Sequence, residues 1–291
     1  MGKKRSEPLL LFFVVVFLVT GCVEPQETST TPVSPAYPIS PIQAENKPAA
    51  TALVQSTSPT VSVSPSIREG MPTSRQVLEA MYGNQALSIN DTEATLPASV
   101  PNRTTTVHIN LMACFWEGLD EKCLVVTDGS FDNCHACQAD IDSAIFQLIN
   151  GSWELVVFQP KVISLGSFGY VPKGELIQIG PDKHAALIKS GWAGQGYEGE
   201  YNTIIAEIDG SFRVVLNLLA SEMEEPFAKD GTASLKWGYS SKMDFFPGDR
   251  SDYYDLVVTQ FGIDREGKKF KTVRFYTFSD TEGRYIMVSQ R

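Results

Sequence analysis

The chain has 291 residues, of which 43% are hydrophobic and 20% are charged, a composition typical of globular proteins of one or two domains. Its mean hydropathy of −0.09 excludes a polytopic membrane protein. The 34 acidic residues outnumber the 24 basic ones and give a formal net charge of −10. This excess argues against a nucleic-acid partner, because general nucleic-acid binders use basic side chains to neutralise phosphates.

The N-terminus has the three parts of an export signal. Basic residues stand at positions 3–5, an unbroken apolar run of 11 residues follows over 9–19, and small residues lead to Cys22. A run of this length is too short to cross the membrane as a helix, which takes about 20 residues. We therefore expect residues 1–21 to be a cleaved signal peptide.

The residues around the predicted cleavage point, Val19-Thr20-Gly21-Cys22, resemble the lipobox of bacterial lipoproteins. The resemblance implies diacylglyceryl transfer to the Cys22 thiol, cleavage before Cys22, and acylation of the new N-terminus, with palmitate as a typical acyl chain. Two or three acyl chains hold a protein firmly on a bilayer, because each buried CH₂ contributes about 0.8 kcal/mol. We expect a lipid-anchored protein of the cell envelope. Val23 in place of Asp implies the outer membrane, facing the periplasm, if the cell is Gram-negative.

Residues 22–72 are predicted to form a disordered tether. Nine of the 17 prolines lie there, among many Ser and Thr residues and without sustained apolar periodicity. Such a segment cannot bury a core that offsets its ordering entropy, and its upper reach is roughly 150 Å. Loss of the signal peptide removes three basic residues and one acidic residue, which leaves a charge of −12. The acyl anchor, not a basic patch, must therefore hold the protein at the bilayer.

Residues 73–291 are predicted to form a single, mainly β domain. The domain opens with a capping box at Thr73 and Gln76, which predicts a short helix over residues 74–82. Residues 84–104 are rich in Asn, Asp and Pro and are expected to form a loop.

Strand-like runs follow from Thr105 onward, separated by turn signals. Asn150-Gly151 and Asp209-Gly210 favour the primed turns of tight hairpins, and residues 265–268 and 282–283 are further turn candidates. About ten to twelve strands are expected. The fold class is a hairpin-rich antiparallel barrel, a sandwich or an irregular propeller.

One segment bears on the propeller alternative. Residues 254–262 loosely resemble a strand phrase of FG-GAP-type propeller blades, but the Asp-rich calcium loop of that family is absent. The resemblance therefore implies a similar architecture at most.

The domain contains four cysteines, Cys114, Cys123, Cys134 and Cys137. An even number in an exported chain predicts two structural disulfides. Cys114 and Cys123 flank a short hairpin-like segment, and a bridge between them leaves Cys134 with Cys137. The crossed pairings stay open alternatives.

A redox role for Cys134 and Cys137 is the alternative function. Cys134-His135-Ala136-Cys137 is a C-x-x-C motif after an apolar strand, and it resembles thioredoxin-like oxidoreductases. The resemblance implies a thiolate that a helix N-terminus and the histidine stabilise. Asp140 and Asp142 would oppose that thiolate, and the remaining β/α alternation of such proteins is missing.

The same cysteines and His135 are also candidate zinc ligands. Eight residues separate Cys114 from Cys123, whereas zinc knuckles usually place two to four residues between ligands, and export favours disulfides over thiolates. We expect no metal and no cofactor.

The segment from 166 to 199 has the strongest character of a binding surface. It holds eight glycines with interleaved aromatic residues, and it is densest between 191 and 197. Trp192, Gln195 and Tyr197 offer rings for stacking and an amide for hydrogen bonding to a glycan or peptide. The alternative is that the glycines form turns and bulges while the aromatic residues pack the core.

Motifs for catalysis are missing from the sequence. We find no nucleophile elbow, HExxH, P-loop or dinucleotide fingerprint, and we expect no catalytic residues. His184 follows a turn and is expected to face solvent. The organisation is similar to that of bacterial lipoproteins with no assigned activity. The sequence predicts a membrane-anchored, non-enzymatic module that binds an envelope protein, peptide or glycan.

Overall fold

The computed structural model describes residues 70–98, 104–131, 137–167, 171–194, 197–224, 237–248 and 252–291. The predicted signal peptide, Cys22 and most of the predicted tether lie outside these residues. The predictions that depend on them therefore remain predictions.

One α-helix and fourteen β-strands make up the described part of the chain. The helix is α1 (Ser74–Tyr82), and the strands are β1 (Ser88–Ile89), β2 (Glu93–Pro97), β3 (Thr104–Glu117), β4 (Asp120–Phe131), β5 (Ala139–Ile149), β6 (Ser152–Leu165), β7 (Glu175–Gln178), β8 (His184–Gly194), β9 (Tyr197–Ile208), β10 (Ser211–Glu224), β11 (Trp237–Phe246), β12 (Asp255–Ile263), β13 (Lys269–Ser279) and β14 (Arg284–Gln290). No helix in the described ranges is long and apolar enough to cross a membrane.

The strands form two antiparallel sheets in which each strand pairs with its neighbours in sequence. Strands β1 to β6 form the first sheet, of six strands, and β7 to β14 form the second sheet, of eight. The second sheet curls into a half-barrel. The predicted mainly β, hairpin-rich domain is confirmed, and its two continuous sheets are not the separate blades of a propeller.

The two hairpins predicted from primed turns are confirmed. Asn150 and Gly151 have φ values of 52° and 81°, and Asp209 and Gly210 have φ values of 51° and 80°. Positive φ at both central residues is what a type I′ turn requires. The turns join β5 to β6 and β9 to β10 in antiparallel register.

The predicted loop over residues 84–104 is wrong, because it contains β1 and β2. The two strands pair with each other, and β2 also pairs with β3, so β1 is an edge strand of the first sheet. Asn90 makes the turn between them, since its side-chain oxygen accepts the N–H groups of Thr92 and Glu93. Cross-strand pairing therefore overrides the weak local strand propensity of this segment.

The number of strands was underestimated. The segment between Cys114 and Cys123 is a hairpin, as predicted, in which β3 continues to Glu117 and β4 starts at Asp120. Only Gly118 and Leu119 form the turn. The described residues hold fourteen strands rather than ten to twelve.

Helix α1 begins with the predicted capping box. The N–H of Gln76 donates to Thr73 Oγ1 at 3.2 Å, and the N–H of Thr73 donates to Gln76 Oε1 at 2.8 Å. Two N–H groups at the helix start are thereby satisfied. The helix buries Val77, Leu78 and Met81 against the first sheet.

Both faces of the first sheet are buried. Cys123 and Val125 of β4 pack with helix α1 on one face, whereas Leu124 and Val126 pack against the second sheet on the other. Because successive residues of a strand point to opposite faces, two-sided burial requires an unbroken apolar run. This requirement explains the run Cys-Leu-Val-Val at the centre of β4.

Asn110 fixes the chain segment that leads from the first sheet to the second. Its amide donates to the carbonyl groups of Val171 and Pro172 at 3.3 and 3.1 Å, and its oxygen accepts the N–H of Gly174 at 2.6 Å. The side chain is buried, so these groups have no easy replacement partner.

We predict that Asn110→Ala lowers the free energy of unfolding by about 2–4 kcal/mol, because it leaves three buried backbone groups unsatisfied. Urea denaturation of the full chain measures the change. The exposed Asn84 provides the control, and Asn84→Ala should change stability by less than about 0.5 kcal/mol. Equal effects of the two variants would contradict the role of Asn110.

Candidate functional site

A row of directly paired residues crosses six strands of the second sheet. Trp192 of β8 lies opposite Gly199 of β9, which lies opposite Glu222 of β10. The row then continues through Tyr239 to a glycine of β12 and Phe270 of β13. Directly paired residues share a face of the sheet, so the aromatic and acidic side chains point the same way.

Gly199 leaves room for the indole of Trp192, because it has no side chain. A Cβ atom at Gly199 would lie 2.5 Å from the Trp192 Nε1 atom, which shows that the indole lies directly on the glycine backbone. The Trp192 side chain remains 37% exposed. The ring is therefore held in one position and is still accessible to a ligand.

A second row of directly paired residues lies two residues closer to the ends of β9, β10 and β11. Tyr197 of β9 is opposite Glu224 of β10, which is opposite Trp237 of β11. The Trp237 Nε1–H donates to the Glu224 carboxylate at 2.6 Å, and the Arg265 guanidinium lies 4.8 Å from the indole centre. The Tyr197 ring, 37% exposed, lies 6.4 Å from that of Trp237.

We call these six residues of the two rows the aromatic face: Trp192, Tyr197, Glu222, Glu224, Trp237 and Tyr239. It combines flat rings, which suit stacking, with carboxylates that accept hydrogen bonds. Burial raises the pKa of the Tyr239 phenol, with the Glu222 charge adding to the effect, so this hydroxyl stays protonated and can donate.

An open cleft of about 450 Å³ lies at the same end of the sheet, and Trp192 and Gly199 contribute to its wall. Most of its other lining residues alternate with the aromatic face along β8, β9 and β10, so their side chains point to the opposite face of the sheet. Its other lining includes the small residues Gly191 and Ala193 and the exposed carboxylates of Glu198 and Glu200. The volume is within the range of small-ligand sites. The stacking surface and the cleft therefore lie on opposite faces of this end of the sheet.

The structure brings together two of the three predicted binding residues. Trp192 and Tyr197 lie in neighbouring rows on the same face, while Gln195 lies outside the described residues. Sequence reasoning missed Trp237, Tyr239, Glu222 and Glu224. Both glutamates lie in β10 and are half-buried.

The cysteines give one confirmed disulfide. Cys114 and Cys123 are bonded and lie directly opposite each other in β3 and β4, as predicted. They are therefore not zinc ligands, and the described residues contain no cluster of three metal-binding side chains. Cys137 is also disulfide-bonded, while Cys134 and His135 lie outside the described part of the chain.

The surroundings of the C-x-x-C motif differ from those of a thioredoxin-like protein. The segment after Cys137 forms strand β5 from Ala139 onward, not a helix. A helix dipole that could stabilise a thiolate is therefore missing from the segment that follows the motif.

A polar cluster lies at the other end of β8. Lys122 and Lys183 each place Nζ 2.7 Å from a carboxylate oxygen of Glu117, and Lys183 thereby connects the second sheet to the first. The His184 ring stacks on Phe115 with centroids 4.3 Å apart, and burial lowers its pKa. The expectation that His184 faces solvent is therefore wrong.

The cavity beside this cluster is too small for a substrate. Its volume is about 20 Å³, which is enough for a single water molecule. Because both lysines pair with Glu117, we assign the cluster a structural role in joining the sheets.

Comparisons with known proteins assign no family. The chain matches no family model, and no curated protein or solved structure matches it significantly.

We predict that Glu117→Gln lowers stability by about 1 kcal/mol at neutral pH, because two half-buried lysines lose their partner and solvent screens part of the effect. Burial opposes ionisation of Glu117, but the lysine hydrogen bonds outweigh it and hold its pKa below the usual value. The stabilisation is therefore present above about pH 4.3 and is lost as the pH falls through the folded-state pKa.

Urea denaturation of both proteins at pH 7 and pH 3 checks this prediction. The difference between them should shrink at the lower pH. A difference that is independent of pH would show that the ion pairs do not stabilise the fold.

Proposed function

We propose that the protein is a lipoprotein of the cell envelope, acylated at Cys22, whose β domain binds a glycan at the aromatic face without catalysis. The observation that carries the binding proposal is the paired row that sets Trp192, Glu222 and Tyr239 side by side on one face. Anchoring is supported by the lipobox-like residues before Cys22.

The chemistry of the aromatic face suits a sugar better than a lipid or an anion. The exposed Trp192 ring offers a flat apolar surface for the C–H groups of a pyranose. The carboxylate of Glu222 accepts hydrogen bonds from hydroxyl groups, and it repels phosphates and other anions.

A ligand site of this kind needs no catalytic group. The polar groups of the two rows include the Glu222 and Glu224 carboxylates and the Tyr239 hydroxyl, and the proposal uses the Glu222 carboxylate and the Tyr239 hydroxyl as hydrogen-bond partners of a bound sugar.

We predict that full-length protein binds soluble oligosaccharides of N-acetylated hexosamines and that Trp192→Ala lowers the affinity at least tenfold, because the stacking surface is lost. Tryptophan fluorescence and isothermal titration calorimetry measure the binding. Trp116→Ala, at an exposed tryptophan in the first sheet, is the matched control and should bind as the wild type does.

The glycan proposal fails if the oligosaccharides do not bind, or if the two variants bind equally. Binding of a lysine-rich peptide in their place, with loss of affinity in Trp192→Ala, would keep the site and replace the ligand class by a cationic one.

A further inference from the structure

The turn between β3 and β4 carries the most exposed apolar side chain of the described residues. Leu119 is 96% exposed in the two-residue turn, and Trp116, three residues earlier, is 54% exposed. A large apolar side chain that is almost fully exposed at a hairpin tip gains nothing from the fold. We therefore consider this tip as a contact site for a partner.

The apolar surface continues across the first sheet. Trp116 lies opposite Glu121, and Leu148 of β5 lies opposite Trp153 of β6. The register of β4 on β5 places Lys122 opposite Gln147, so the next residues along, Glu121 and Leu148, are neighbours. Trp116, Leu148 and Trp153 thus belong to one row at the end of the sheet that carries the tip.

The N-terminal segment enters the domain at this row. The Trp153 Nε1–H donates to the carbonyl oxygen of Gly70, the first described residue. The 48 residues from Cys22 to residue 69 precede that point. A bilayer that holds Cys22 is therefore connected to the domain at the end that carries Trp116 and Leu119.

The charges around the tip favour an apolar contact over an electrostatic one. Glu117 is paired with Lys122 and Lys183, and Asp120 and Glu121 add two further carboxylates beside the tip. A net acidic tip is repelled by anionic headgroups and tolerated by zwitterionic ones.

From these observations we propose that Trp116, Leu119 and Leu148, which we call the apolar tip, dock into the interface of a zwitterionic lipid bilayer. The proposal depends on the anchoring at Cys22 and not on glycan binding. Trp is the residue type best suited to the headgroup level, where its ring is apolar and its N–H remains hydrated.

Because the proposed lipid anchor at Cys22 already holds the protein at the bilayer, a small apolar contact is sufficient for docking. A tethered domain has a high effective concentration at its own bilayer, so a weak insertion shifts most molecules to the docked state. The three exposed apolar side chains of the apolar tip are adequate for that purpose, although they would not recruit a free protein.

Docking also sets the orientation of the ligand site. The Lys183–Glu117 pair and the His184–Phe115 stack place the start of β8 beside the apolar tip. Trp192 lies eight residues further along β8, roughly 26 Å away at the usual rise per residue. In the docked state the aromatic face therefore lies toward the end of the domain that is further from the bilayer.

The test uses the full-length acylated protein in phosphatidylcholine vesicles that contain brominated acyl chains, which quench nearby tryptophan. We expect the bromolipid to quench a part of the emission that disappears in Trp116→Phe and persists in Trp192→Phe. Leu119→Ser should lower the ratio of docked to undocked protein about tenfold, because one leucine side chain no longer enters the interface.

Val288→Ser, at an exposed apolar residue of the second sheet, is the matched control and should leave quenching unchanged. Three results would overturn the proposal. They are quenching that persists in Trp116→Phe, quenching that is insensitive to Leu119→Ser, and shielding of Trp116 from acrylamide without vesicles, which would mean that the tether or a second copy covers the tip.

Discussion

The apolar layer between the two sheets is the interaction on which the rest of the structure depends. Ile141 and Ile145 of the first sheet meet Ile188 and Ile205 of the second in this layer. The curled second sheet has its own interior, and helix α1 covers the far face of the first. Without the shared layer, each sheet would expose an apolar face to water, and burial of that face is the main driving force for their association.

Because this layer joins the two sheets, the proposed functional features lie at opposite ends of strands that run side by side. Strands β6 and β8 both run from the end with the Gly70 contact and the Glu117 cluster to the end with the cleft, where Ser167 donates to the Gly191 carbonyl. In the proposed function, the two packed sheets act as a spacer between the apolar tip at one end and the aromatic face at the other. The proposed envelope role needs this separation, because a ligand site close to the headgroups would meet lipid rather than glycan.

The sequence predicted local features well and long-range ones poorly. The capping box of α1 and the type I′ turns at Asn150-Gly151 and Asp209-Gly210 are decided by neighbouring residues, and all were predicted. Strand β2 exists because it pairs with β3, and β1 exists because it pairs with β2; no pattern inside residues 84–104 reveals these pairings.

The candidate site was predicted in part for the same reason. Trp192 and Tyr197 stood out because glycines surround them in the sequence. Glu222 and Tyr239 joined them only through the registers of β9, β10 and β11, which a single sequence does not contain. Burial of His184 likewise follows from its contact with Phe115, which lies 69 residues away in the other sheet.

Native-state hydrogen exchange of the full chain tests most directly the claim that the two sheets form one body. The account predicts that the slowest amides of β4 and β5 and those of β8 and β9 open with the same free energy, equal to that of global unfolding, because the shared apolar layer must break for either sheet to open. If the amides of one sheet exchanged through an opening much lower in free energy than those of the other, the sheets would be separate units. The fixed distance between the apolar tip and the aromatic face would then be lost.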